Sequence, residues 1–477
     1  MTRIVWFRQD LRLTDNPALS AASQHGSVLP VYILDDTNAA DWAMGGASRW
    51  WLHHSLQSLN HSLQGRLLLL RGDPLSLLPR LSEAIHADGI HWNRCYEPWR
   101  IARDARLKEQ LKDSGIAVES HNGSLLWEPW QALKQDGTPY KVFTPFWRKG
   151  CLLGAIPRQV IPAPSDLDCL SLGGSPYARQ VGDAGITALN LLPTIPWDQG
   201  MRATWQIGED AVRQRLREFL DTGLGDYKQG RNFPARPNVS RLSPHLHFGE
   251  ISPHQVWTEA QRHGAENGAD ENLDCFLSEL GWREFSYSLL YHHPTLMRDS
   301  LQSKFDHFPW QHDDALLHAW QRGQTGFPLI DAGMRELWQT GYMHNRVRMV
   351  VGSFLVKNLR THWHRGEEWF WDCLVDADLA ANSASWQWIA GCGADAAPYF
   401  RVFNPVTQSE RFDPQGDYIR RYVPEIAALP DKYLHNPSAA PAGVLREAGI
   451  VLGKDYPEAI VDLKDSREQA LAAFKGL

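Results

Sequence analysis

The first 130 residues alternate between strand-like and helix-like patterns, and this alternation limits the possible folds more than any other feature. Short apolar runs predict strands at 4–7, 28–34, 67–71, 89–95 and 117–121. Amphipathic stretches at about 17–25, 47–63, 74–87 and 101–114 predict helices between them. Strands that alternate with helices imply an α/β domain built on a doubly wound parallel sheet.

The pattern changes after this region. Residues 131–202 are rich in Pro, Gly and Ser, and PAPSDLDCLSLGGSP at 162–176 is typical of a surface linker. From residue 203 onward the periodicity is helical. We therefore predict an α/β domain at 1–130, an interdomain linker at 131–202 and a larger all-α domain at 203–477.

Several classes of protein are disfavoured. No run of about 18 apolar residues is present, so we expect no membrane span. The six cysteines form no C-x-x-C pair, and we predict no metal site. Scattered cysteines and the lack of a targeting pattern favour the cytoplasm of a bacterium. The formal net charge of −7 excludes a uniformly basic nucleic-acid binder but allows a local basic face.

Tryptophan is unusually abundant, with 21 residues in 477. Such residues can pack a core, stack on bases or sugars, or carry electrons. The string from Gly391 to Ala396 spells G-x-G-x-x-A but follows no strand, and FRQDLRLTDN stands after the first strand instead of a glycine-rich turn. A dinucleotide fingerprint is therefore not predicted at either place.

Four segments contain candidate chemistry. In 227–252, Ser240 and Ser243 precede a helix and form either a phosphate cradle or an ordinary N-cap. In 271–290, the spacing of Glu279, Trp282 and Arg283 predicts one helix face that grips a heterocycle or forms a surface ion pair.

The other two segments lie further along the chain. From Met343 to Arg365 there are five basic residues and no acid, which indicates a phosphate-binding face or a solvated one. In 372–405, Asp376 requires a partner if it is buried, and Arg348 or a cofactor can supply one.

These motifs occur in a particular order along the whole chain: VWFRQDLRLTDNPAL, SRLSPHL, ELGWREF, HNRVRMVVGSFLVK and DADLAANSASWQW. Together they resemble the DNA photolyase/cryptochrome family, and WQWIAGCGADAAPYFRVFNP is similar to the photolyase form of the last motif. The resemblance implies light-driven repair of cyclobutane pyrimidine dimers in UV-damaged DNA by electron transfer from reduced FAD. A (6-4) photolyase, a cryptochrome photoreceptor and a general flavin oxidoreductase are the alternatives.

The resemblance also implies site residues. The FAD-binding set is Tyr227, Arg231, Ser240, Arg241, Leu242, Ser243, Asn345, Arg348, Asp376, Asp378 and Asn382. Within it, Arg348 and Asp376 should pair beside the flavin ring, and Asn382 should approach flavin N5, where an amide favours repair over signalling. Val239 stands where many relatives have threonine.

The implied DNA-binding set is Glu279, Trp282, Arg283, Asn345, Arg346, Met349, Trp388, Arg401 and Gln408. Trp282 and Trp388 should stack on the flipped-out dimer, and Glu279 should hydrogen-bond to it. Enzymes for the (6-4) photoproduct have histidines where Asn345 and Met349 stand, which favours the cyclobutane dimer.

The implied catalytic set consists of Glu279, Asn382 and an electron relay. The relay consists of Trp310, Trp363 and Trp386, with Trp320 as an alternative end. Because Trp386 and Trp388 are two apart, we expect one ring on the electron path and the other towards the substrate.

The antenna chromophore is left open between methenyltetrahydrofolate, a deazaflavin and none. Arg100, Met297 and Arg298 depart from one known folate-binding pattern of the family, whereas Trp50 and Trp51 favour a folate in another pose. We expect the protein to act as a monomer.

Overall fold

The computed structural model describes residues 1–172, 185–268, 271–396 and 400–477. Its single sheet contains the strands β1 (Thr2–Phe7), β2 (Ser27–Leu34), β3 (Leu68–Arg71), β4 (Gly89–Asn93) and β5 (Ala117–His121). All neighbours are parallel, in the order β3-β2-β1-β4-β5. The predicted α/β class is confirmed, and the ends of each predicted strand lie within two residues of the observed ones.

Helices cover both faces of this sheet. Alternate strand residues such as Ile4, Trp6 and Trp92 form an apolar core with residues of the Pro74–Ala84 and Pro98–Asp113 helices. The intervening strand residues point to the opposite face, because successive side chains of a strand alternate. Burial on both faces explains why β2 consists almost entirely of apolar residues.

The remainder is mainly helical, as predicted. The α-helices are Pro17–Ser23, Gly46–Ser62, Pro74–Ala84, Pro98–Asp113, Phe143–Pro145, Gln199–Thr204, Glu209–Glu218, Tyr227–Gly230, Ser243–Phe248, Pro253–Asn267, Glu271–His292, Asp314–Gln321, Pro328–Thr340, Asn345–Ser353, Trp363–Cys373, Leu379–Ala390, Pro405–Phe412, Asp417–Tyr422, Asp431–Leu434, Ala442–Glu447 and Leu463–Lys475. Short 3₁₀ or π turns are Ala40–Trp42, Phe146–Cys151, Ile186–Leu189, Phe219–Gly223, Leu224–Asp226, Ser303–His307, Phe354–Asn358, Pro424–Ile426 and Pro437–Ala439. Across the described ranges, no helix combines the length and the apolarity that a bilayer crossing requires.

The chain forms two compact units that interleave along the sequence. The first unit comprises 1–197, 205–221 and 240–294, and the second comprises 198–204, 222–239 and 295–477. The predicted domain boundaries at 130 and 202 stay a prediction.

The stretch 162–176 of the predicted linker (131–202) is partly described. Within the first unit, the Val28 amide donates to the Asp168 carbonyl and the Leu170 amide donates to the Val28 carbonyl, each at 2.8 Å. This stretch is therefore hydrogen-bonded to the beginning of β2. Residues 173–184 of the predicted linker lie outside the described residues.

A buried charge network lies at the end of β1 in the first unit. Asp104 accepts from Arg8 at 2.5 Å and from Arg103 at 2.8 Å, and Arg103 also pairs with Asp35 at 2.8 Å. Both guanidinium groups lie 4.7 Å from the centroid of Trp6. Burial favours the neutral acid, but the two arginines outweigh it and hold the pKa of Asp104 below its usual value.

We predict that Asp104→Asn lowers the free energy of unfolding by about 3 kcal/mol at neutral pH, because it leaves two buried cations without their carboxylate. The pKa of Asp104 is depressed in the folded state, so its contribution is complete above the unfolded value of about 4 and is lost as the pH falls further. The difference between variant and wild type should therefore shrink in acid. Urea unfolding at several pH values measures it, with Asp113→Asn, an exposed position at the end of the same helix, as the control. A difference that does not change with pH would contradict the electrostatic explanation.

Candidate functional site

The Leu379–Ala390 helix of the second unit holds the central polar and aromatic residues. Asp378 caps it, and its carboxylate accepts from the Ala381 amide at 2.9 Å. Asp378, Asn382 and Trp386 follow at intervals of four, so they lie on one face. All three are buried.

The two tryptophans of the WQW motif point in different directions, as predicted. Trp386 is buried and contacts Phe370, with ring centroids 5.0 Å apart. Trp388 is half-buried, and its indole N–H donates to the Asp395 carbonyl at 3.2 Å. Gly391 ends the helix in the left-handed region at φ 98°, so the G-x-G-x-x-A string follows a helix and is not a dinucleotide fingerprint.

The predicted pair between Arg348 and Asp376 is present. One Nη of Arg348 lies 2.8 and 3.1 Å from the two carboxylate oxygens, and its Nε donates to the Met343 carbonyl at 2.7 Å. Burial disfavours the charged guanidinium, but Asp376 outweighs this effect, and the pKa of Arg348 is raised. A fixed positive charge is therefore held next to a buried carboxylate.

Asn382 and the adjacent Ser383 are both hydrogen-bonded to Glu367, a buried acid. The Asn382 Nδ2 group donates to the Glu367 carbonyl at 3.1 Å, and the Ser383 hydroxyl donates to the Glu367 carboxyl at 2.5 Å. Burial raises the pKa of Glu367 to about 8, although the hydrogen bond from Ser383 acts to lower it. This acid is therefore mostly protonated at neutral pH. With Nδ2 engaged, Asn382 has its carbonyl oxygen to offer to a ligand. Glu367 was not among the residues predicted from the sequence.

These groups fit a flavin ring. The guanidinium of Arg348 is a hydrogen-bond donor, the Asp376 carboxylate is an acceptor, and the Asn382 carbonyl is a second acceptor. An isoalloxazine edge offers the complementary carbonyl oxygens and N–H groups. Asp376 and Asn382 are buried, but they retain 8% and 7% exposure, so a small part of each side chain is accessible.

Three arginines gather elsewhere in the second unit. Arg231 lies 5.3 Å from the Tyr227 ring, and Arg346 donates to the Asn232 side chain at 2.5 Å. Burial, then the like charges of Arg231 and Arg411, lower the pKa of Arg346. Clustered cations favour a bound anion such as a phosphate. Arg411, on the Pro405–Phe412 helix, was not predicted from the sequence.

The predicted DNA-binding residues of the second unit differ in exposure. Asn345 is exposed at the first position of its helix, and Met349 is half-buried four residues later on the same face. Gln408 is half-buried, and Arg401 is exposed. The structure therefore leaves each of these side chains at least partly accessible.

The basic segment from Met343 to Arg365 does not form one basic face. Arg348 is paired with Asp376, and Lys357 is buried with its Nζ on the Arg401 carbonyl. Burial, then Arg401, lower the pKa of Lys357 to about 7. The interpretation of this segment as a single phosphate-binding face is wrong, because tertiary packing sends its cations to different surroundings.

The three predicted relay tryptophans belong to one packed region of the second unit. The Trp310 ring lies 4.9 Å from His362, and the His362 ring lies 5.6 Å from the buried Trp363. Trp386 packs against Gly366, one helical turn after Trp363, where an added Cβ would lie 2.1 Å from the indole. Trp310 is half-buried, so this series leads from the interior towards solvent.

Trp320 touches Trp386 edge-on, with centroids 6.3 Å apart, and its indole N–H donates to the Val351 carbonyl at 3.1 Å. It is fully buried. Its position does not suit the surface end of a relay.

The SRLS motif lies in the first unit. The Ser243–Phe248 helix begins with Ser243, and Leu242 is at its N-cap without a side-chain hydrogen bond. The alternative of an ordinary serine N-cap is therefore wrong. Ser240 is half-buried and Ser243 exposed, while Arg241 adopts φ 53°.

The Glu271–His292 helix of the first unit holds Glu279, Trp282 and Arg283, as predicted. Trp282 is half-buried and stacks on Phe143, with centroids 3.8 Å apart and planes 10° apart. One ring face is therefore covered, and only the other can meet a base. Arg283 donates to the adjacent Glu284 at 2.9 Å.

Comparisons with known proteins agree with these features. A family model described as DNA photolyase matches residues 3–165, and one described as the FAD binding domain of DNA photolyase matches residues 276–476. The chain is 47% identical to a deoxyribodipyrimidine photo-lyase of Agrobacterium fabrum, over 99% of this chain and 97% of that one. It is 37% identical to cryptochrome-2 of Arabidopsis thaliana, over 98% of this chain and 77% of that one.

A crystal structure of a bacterial class III photolyase from Agrobacterium tumefaciens superposes with a TM-score of 0.94. It shares 46% sequence identity and covers 100% of this chain and 97% of that one.

Proposed function

The chain belongs to the DNA photolyase/cryptochrome family, and from this premise we propose how it acts. It repairs cyclobutane pyrimidine dimers in DNA in a light-driven reaction with FAD as its cofactor. The observation that carries this function is the 47% identity, over nearly the full length of both chains, to a deoxyribodipyrimidine photo-lyase. The ion pair between the partly buried Arg348 and the buried Asp376 supports it, as does the oriented Asn382 amide.

When bound in its reduced form, FAD supplies the absorption of blue light and the electron for the dimer. The protein orients the ring and sets its electrostatic surroundings. Arg348 holds a positive charge at the ring, and Asp376 keeps that charge in place. Asn382 presents a carbonyl whose direction is fixed by its bond to the Glu367 backbone.

The residues that we propose to contact the lesion are those that match the family's motifs and are accessible within their own unit. Trp282 and Trp388 stack on the flipped-out dimer and replace the stacking that it loses in the duplex. Glu279 hydrogen-bonds to the dimer in this proposal, and Asn345 and Met349 are further residues that contact the lesion. The cluster of Arg231, Arg346 and Arg411 binds phosphate groups electrostatically.

Trp310, Trp363 and Trp386 form the electron relay in this proposal. Their packing through His362 and Gly366 supports it, because short separations favour electron transfer between aromatic rings. We further propose that the protein is a monomer and that it acts on UV-damaged DNA in the bacterial cytoplasm. The antenna chromophore stays open between a folate, a deazaflavin and none.

We predict that Trp282→Ala weakens the binding of dimer-containing DNA by about 1–3 kcal/mol, because the lesion loses one stacking partner. Affinity is measured for matched oligonucleotides with and without one thymine dimer, at fixed salt concentration. Trp338→Ala, a substitution at an exposed tryptophan outside the pocket, is the control. Equal affinity of wild type and Trp282→Ala for the damaged strand would remove Trp282 from the lesion pocket.

We also predict that Trp386→Phe slows photoreduction of the flavin without lowering flavin content, because phenylalanine is much harder to oxidise than tryptophan. Repair by chemically reduced protein should be preserved, since that reaction bypasses the relay. Flavin absorbance under illumination with an external reductant measures the rate, and Trp338→Phe is the matched control. Photoreduction at the wild-type rate would refute the relay assignment.

A further inference from the structure

His91, Glu119 and His121 form a compact group on the sheet of the first unit. The His91 Nδ1 and His121 Nε2 atoms are 3.4 Å apart, and each lies 3.9 Å from the Glu119 Oε2 atom. Across the ranges that the structure describes, this is the one group of at least three His, Cys, Asp or Glu side chains placed to share an ion. The group is separate from the residues assigned to flavin, DNA and electron transfer.

Strand register brings the three residues together. His91 of β4 is the register partner of Glu119 of β5, so both point to the same face of the sheet. His121 lies two residues after Glu119 and therefore shares that face. His91 lies about 30 positions before Glu119 and His121 in sequence, so no short motif contains all three residues.

The separations match those of a metal site. A divalent ion of the zinc type lies about 2.0–2.1 Å from imidazole nitrogens, which places two tetrahedral ligands about 3.3–3.4 Å apart. The two histidine nitrogens already have this separation. The Glu119 side chain is 53% exposed, so it can move the remaining few tenths of an ångström.

We propose that His91, Glu119 and His121 bind one divalent transition-metal ion of the zinc type, with water completing the coordination. Two imidazoles and one carboxylate suit zinc, cobalt or nickel and do not suit magnesium or calcium, which prefer oxygen ligands. The ion would join β4 to β5. In this sheet β5 is an edge strand that pairs with β4.

The surroundings limit the affinity. Arg3 lies near His91, and Arg94 and Lys108 lie near His121. Arg94 is paired with Glu128, and the Glu119 carboxylate lies 3.9 Å from both histidine nitrogens, where it supplies the negative charge of the ligand set.

The test uses the full-length protein after treatment with a chelator. Zn²⁺ is titrated in competition with a chromophoric chelator, and Co²⁺ reports ligand geometry through its visible absorption. Wild type should bind one ion per chain and give the absorption of four-coordinate cobalt. His121→Ala and Glu119→Gln should each weaken Zn²⁺ binding by more than about tenfold, since even outer-shell partners of a ligand are worth that much.

His61→Ala changes an exposed histidine of the first unit outside the group and should bind Zn²⁺ like wild type. His91 is buried, so the partly exposed His121 and Glu119 are the positions to substitute, and flavin content verifies their folding. The proposal is overturned if wild type takes up no Zn²⁺ against the chelator. It is also overturned if His121→Ala binds Zn²⁺ as tightly as wild type, because the ion then lies elsewhere.

Discussion

The Asp378 cap of the Leu379–Ala390 helix is the interaction on which the candidate site depends. By accepting from the Ala381 amide, the carboxylate fixes where this helix begins. The starting point determines the direction of each later side chain, so Asn382 and Trp386 follow Asp378 on one face. Trp388, two residues beyond Trp386, is rotated to another face. A single capped helix can therefore serve the flavin, the electron path and the substrate.

Electrostatics around this helix combine one charged pair with one neutral acid. Asp376 raises the pKa of the Arg348 guanidinium against the effect of burial, whereas burial raises the pKa of Glu367 to about 8, so that this acid is largely protonated at neutral pH. The Asn382 amide donates to the Glu367 carbonyl. In the proposed FAD site, the protein thus presents fixed hydrogen-bonding groups.

Much of the fold was predictable because strand and helix periodicities are local. The five strands were found within two residues, and Asp378, Asn382 and Trp386 were identified through the family motif. Partners distant in sequence were not predictable: Glu367 beneath Asn382, Arg411 beside Arg346, and the group formed by His91 with β5. The basic segment from Met343 was misread because composition does not reveal that Lys357 is buried. Residue types were thus predictable from sequence, and surroundings set by tertiary packing were not.

The most direct test of the repair function is a single-turnover assay with chemically reduced protein. The substrate is an oligonucleotide with one thymine cyclobutane dimer, incubated under blue light or in darkness, and repaired strands are counted. The account predicts reversal of the dimer in the light and none in the dark. Failure of repair in the light, with flavin bound and fully reduced, would contradict it and would favour a photoreceptor or activity on the (6-4) photoproduct.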